Sequence, residues 1–109
     1  MFASALIFVM LAGAPSQMVQ CVEVPAGKTA TDVEARGKAW FVKGAPVTLG
    51  KRRYARSGPV RGMSPAEVVA FGRFGGATVF AAAGDQARGT VFVLADIRDC
   101  TFQAYRAGS

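Results

Sequence analysis

The sequence predicts an α+β domain: a small antiparallel sheet ending in a C-terminal β-meander, packed on one main helix and closed by one disulfide. Three observations carry that expectation. Residues 78–83 (TVFAAA), 90–95 (TVFVLA) and 100–105 (CTFQAY) are rich in strand-favouring residues, and the loops between them are short enough for antiparallel connections. Ser64, Pro65 and Glu67 supply an N-cap, a proline at the first helical position and a capping acid ahead of Val68, Val69 and Phe71. Cys21 and Cys100 are the only cysteines.

The meander is the plainest part. Residues 90–95 are apolar on both faces, which suits a strand in the interior of a sheet. Glycines 72, 75 and 76 are expected to stop the helix that begins after Ser64. Upstream, residues 47–49 and 52–55 flank Gly50 and Lys51 as a hairpin, and Ser57, Gly58 and Pro59 form a turn. Trp40, Phe41 and Val42 are bulky and favour a strand. Thr31 with Glu34 fits a capping box for one helical turn, and residues 19–24 alternate like a first strand.

At 109 residues the chain has room for one domain. Residues 2–14 (FASALIFVMLAGA) carry no charge and are too short to span a bilayer as a helix, which takes about 20 apolar residues. Their length suits the apolar part of a secretory signal, and Ala14 and Ser16 place small residues for cleavage before Gln17. The expected organisation is a signal peptide over 1–16 and a single α+β domain over 17–109. No cation precedes the run, unlike an ordinary signal, so a buried N-terminal element is the competing reading.

In an exported chain the two cysteines are expected to form a disulfide. It would close a loop of about 80 residues, worth a little over 4 kcal/mol in chain-entropy terms. The periplasm or the exterior is the expected location.

The chemical inventory is thin. With no histidine the commonest general base is missing, and Ser-His and Cys-His sites are excluded. The cysteine spacing does not suit a zinc cluster, and no cofactor motif is present. Asp96 and Asp99 flank a short turn, where aspartates commonly bond backbone. The FGRFGG run follows an expected helix instead of opening one, so it is not a phosphate loop. A non-enzymatic protein is the expectation.

Charge is the distinctive feature. Thirteen Lys and Arg against seven Asp and Glu leave a formal charge of +6. Arg36, Lys38, Lys43, Lys51, Arg52, Arg53, Arg56 and Arg61 fall between Ala35 and Pro65, a window with no acid. In strand geometry Arg52, Tyr54 and Arg56 share a face, two guanidiniums around a phenol. Such a face suits bidentate contact with phosphate or carboxylate. The candidate site for an anionic partner is therefore Lys51, Arg52, Arg53, Tyr54, Arg56 and Arg61. Export favours an envelope component or an acidic protein surface over nucleic acid as that partner. Two other readings stand beside this one: an intracellular nucleic-acid-binding protein with residues 1–14 in its core, and a small envelope enzyme or enzyme inhibitor.

Overall fold

The computed structural model describes residues 21–108. The expected signal peptide over 1–16 lies outside them, as do Val19 and Gln20 of the expected first strand. Two short helices come first, α1 (Ala30–Val33) and α2 (Ala39–Lys43). Six strands follow: β1 (Val47–Leu49), β2 (Arg52–Gly62), β3 (Val68–Phe74), β4 (Ala77–Ala82), β5 (Thr90–Asp96) and β6 (Thr101–Ala107). They form one sheet in the order β1-β2-β6-β5-β4-β3, with every neighbouring pair antiparallel. The two edges curl toward each other: a Cβ built on Gly72 of β3 would lie 3.7 Å from Leu49 Cδ2 of β1. The architecture is a nearly closed antiparallel barrel, not a small sheet on one main helix.

The expected main helix is absent, and the reason is visible in its residues. Ser64 and Glu67 do form the N-terminal cap, with Ser64 N–H donating to Glu67 Oε1 at 2.8 Å. That cap builds only a single 3-10 turn, Pro65–Glu67. Val68 and Val69 are β-branched, and Gly72 would weaken a helix interior by about 1 kcal/mol. Extended, the same residues cover the open edge of β4, from Val68 opposite Ala82 to Phe74 opposite Ala77. A bulge between Ala70 and Gly72 adjusts the register. Pairing a whole strand satisfies more backbone than a capped two-turn helix could, so the long-range ladder wins over the local signal.

Other expectations change in the same way. Trp40, Phe41 and Val42 are helical in α2, which ends at Gly44 with φ 76°. The Trp40 ring meets Phe74 edge-on at 4.9 Å, and its indole N–H donates to Gly75 O at 2.9 Å. Tertiary packing overrides the strand preference of these residues. The cap of α1 is Thr29 with Asp32, not Thr31 with Glu34. Residues 21–24 form no strand. Ser57, Gly58 and Pro59 do not end the strand but lie within β2, where the register against β6 shifts between Ser57 and Arg61. The buried Gln103 amide donates to Gly58 O at 2.8 Å and Ser57 O at 3.3 Å, supplying partners to carbonyls that the irregularity takes out of the ladder.

The sheet buries both faces. On one, Phe80, Phe92, Leu94 and Phe102 pack under Cys21, Val22 and Val33 of the N-terminal segment. On the other, Val47, Tyr54, Val79, Val91, Val93 and Tyr105 pack under Trp40 and Phe41 of α2. Fully burying Leu94 or Phe102 contributes about 1.5–3 kcal/mol each. The chain passes from the first face to the second at Glu34 and Ala35. There Ala35 N–H donates to Leu94 O at 2.8 Å, and the buried Glu34 carboxylate accepts from Ile97 N–H at 2.9 Å. Cys21 and Cys100 are brought together to 2.6 Å but are not bonded, so the expected pair is adjacent in this structure without a disulfide between them.

Candidate cationic rim

The hairpin between β1 and β2 turns at Gly50, which takes φ 61°. Beside it lie the end of β6 and the loop from β4 to β5, because β2 pairs β6 and β6 pairs β5. That loop is built by Asp85, whose Oδ1 accepts from Ala87 N–H at 3.1 Å and Arg88 N–H at 3.2 Å. Arg88 consequently sits at φ 53°, in the left-handed region. Its carbonyl accepts from the buried Tyr54 hydroxyl at 2.9 Å, and its guanidinium lies 4.2 Å above the Phe71 ring. Gly89 O accepts from Ala107 N–H at 2.8 Å and Arg53 O from Gly108 N–H at 2.9 Å, which locks the three segments into one rim.

Five exposed cations stand on that rim: Lys51, Arg52, Arg53, Arg88 and Arg106. Arg52 is oriented by a 2.8 Å bond from Nη1 to Ala87 O and by the Tyr54 ring 5.4 Å away. Arg53 and Arg106 share the opposite face of the ladder, where Ala55 opposes Arg106. They are diagonal neighbours, a relationship that sets side chains about 7–8 Å apart. At 8 Å two like charges repel by about 0.5 kcal/mol in water and about 2 kcal/mol at an effective permittivity of 20. The nearby acid, Asp85, spends its carboxylate on the backbone of the loop.

The sequence-predicted residues do not all arrive here. Lys51, Arg52 and Arg53 do. Tyr54 is buried, 2% exposed, and supports the rim from beneath. Arg56 shares the face of Arg52 and Tyr54 and is exposed, but it is engaged by α2: it donates to Phe41 O and, at 3.3 Å, to the Tyr105 hydroxyl, with the Phe41 ring 4.6 Å away. Arg61 lies beyond the irregularity in β2, against Phe92 on the other face of the sheet. Arg88 and Arg106 were missing from the sequence reading. Arg106 could have been noticed as the outward residue after Tyr105 in an alternating strand, but nothing local places it beside Arg53.

Ion pairing is sparse among the described residues: a single salt bridge forms, between Arg98 and Asp96 at 3.2 Å. The hydrogen-bonded Arg98 guanidinium holds the Asp96 carboxyl below the usual carboxylate range. Asp96 also accepts from Arg98 N–H at 2.9 Å, so it shapes the β5–β6 turn as a backbone partner. Asp32 and Glu67 cap, Asp85 builds its loop and Glu34 is buried. Five of the seven acids are thus committed to architecture, Glu23 and Asp99 are exposed and make no ion pair, and most cations are left without a counter-charge.

Elsewhere, an open pocket of about 550 Å³ is lined by Val22, Glu23, Pro25, Pro65, Val68 and Phe80, with Glu23 as its one ionisable residue. No group of three or more Cys, Asp or Glu suited to a metal ion occurs among the described residues, and none of their helices is long and apolar enough to cross a membrane. No family model matches this chain, and neither the curated proteins nor the solved structures contain a match.

Proposed function

We propose that the domain is an exported, non-enzymatic binding module of the bacterial envelope that holds an anionic partner at the cationic rim. The observation that carries this reading is the imbalance of charge and pairing: thirteen cations, seven acids and one ion pair among the described residues. Self-repulsion of this kind destabilises the folded chain and is relieved by an anion. Arginines suit the role, because the planar guanidinium takes phosphate or carboxylate oxygens two at a time. The apolar run over 2–14 and the small residues after it support export, which puts anionic lipid and lipopolysaccharide phosphates within reach.

Retention of the protein on vesicles containing phosphatidylglycerol tests the reading, with lipopolysaccharide and duplex DNA as further arms. The protein is expected to bind the envelope surfaces at low salt and to release as the Debye length falls from about 30 Å at 0.01 M to about 8 Å at 0.15 M. Retention that ignores salt, or none on either envelope surface, contradicts the proposal. Tighter binding to DNA than to both would favour the nucleic-acid reading instead.

A further inference from the structure

The cysteines occupy positions that apolar filling does not explain. Cys21 lies in the N-terminal segment packed against Phe80, Phe92 and Phe102; it is buried, and its Sγ lies 3.6 Å from Ile97 O. Cys100 ends the β5–β6 turn at φ 54°, a conformation that favours glycine or asparagine. Its carbonyl accepts from Met63 N–H at 3.1 Å, which pins the turn beside the end of β2. A residue with a side chain thus stands where glycine would sit more easily, and the only other cysteine in the protein lies 2.6 Å from it. Cys100 is partly exposed while Cys21 is covered.

We propose that Cys21 and Cys100 form an oxidisable dithiol clasp, closed by exchange with a small disulfide that enters at Cys100 and fastening the N-terminal segment to the β5–β6 turn. The first step is attack of the Cys100 thiolate on one sulfur of the external disulfide. That S–S bond breaks, one thiol leaves, and Cys100 carries a mixed disulfide. Cys21 then gives its proton to solvent and attacks Cys100 Sγ, expelling the second thiol. The protein loses two electrons and two protons, and the external disulfide is reduced to two thiols. Burial first, and then the bond with Cys100, push the Cys21 thiol up to about 12. Burial persists after Cys100 is capped, so the Cys21 thiol stays raised during closure. Well below that value the thiolate fraction, and with it the closing rate, rises about tenfold per pH unit.

The full-length chain, prepared reduced, is titrated with mixtures of reduced and oxidised glutathione and followed by intact mass and thiol counting. Wild type is expected to lose two hydrogens and both titratable thiols as a monomer, and to melt on the order of 15 °C higher when closed. Cys21→Ser should accumulate a glutathione adduct on Cys100, and Cys100→Ser should react far more slowly. Wild-type closure should quicken about tenfold for each pH unit. Two thiols that persist in the most oxidising mixture overturn the proposal. So do oxidation only to intermolecular dimers, equal adduct formation in both variants, or a closed form with an unchanged melting temperature.

Discussion

The hydroxyl of Tyr54 donates to the carbonyl of Arg88 at 2.9 Å, and through that bond the second strand of the sheet supports the loop between the fourth and fifth. Tyr54 is buried, so the loop is held from inside the near-barrel while its guanidinium stays in solvent. The same ring lies 5.4 Å from the Arg52 guanidinium. One buried phenol therefore sets the relative position of two rim cations.

Tyr54→Phe removes that bond and keeps the ring. The variant is expected to lose about 1 kcal/mol in urea unfolding, the usual worth of one hydrogen bond. Amide exchange in residues 84–89 should accelerate while that of the central strands changes little. Unaltered exchange in that loop would mean that Asp85 alone shapes it.

Gly75 tests the seat of the second helix. A Cβ there would lie 2.1 Å from Trp40 Nε1, and the residue takes φ 56°. Gly58 has φ 73° but open space around it. Gly58→Ala should cost about 1–2 kcal/mol from the left-handed backbone alone. Gly75→Ala should cost clearly more and shift the Trp40 fluorescence, as the indole leaves the Gly75 carbonyl. Equal losses in the two variants would contradict this packing.

Acid sensitivity follows from the cap of the first helix. The backbone N–H of Thr29, bonded to Asp32 at 2.7 Å, is the main cause that lowers the Asp32 carboxyl below its ordinary value. A depressed folded value means stabilisation that is present above about pH 4 and lost as pH falls through that depressed value. Asp32→Asn should therefore be less stable than wild type near neutrality, with the gap closing as pH falls through the depressed value. Parallel stability curves for the two proteins would remove Asp32 from the account.

These relationships show what could be read from residues alone. The hairpin at Gly50 and the C-terminal meander were legible, because alternation and turn chemistry are local. The helix expected after Ser64 was not: its cap signals are real, but they decide only the first turn. Whether Val68 and the residues after it coil or extend depends on the open edge of the strand at 77–82, which local pattern does not reveal. Trp40 behaves similarly, since its helix is fixed by Phe74 and Gly75 more than thirty positions away. The charge surplus was legible as well, but not its distribution. The irregularity between Ser57 and Arg61 sends Arg61 to the other face, and contacts with Phe41 of α2 engage the Arg56 guanidinium. Pairing of the second strand with the last one brings in Arg106.

The most direct test of the cationic rim compares two charge-reversed proteins of equal net charge on phosphatidylglycerol vesicles. One carries Lys51→Glu, Arg53→Glu and Arg106→Glu, at the rim. The other carries Lys28→Glu, Arg36→Glu and Arg61→Glu, exposed positions outside it. Each cation near an anionic surface contributes about 1 kcal/mol, so the rim variant should lose on the order of a hundredfold in retention, and the second variant far less. Equal losses would show that net charge alone governs binding, and unchanged retention in the rim variant would show that the rim has no part in it.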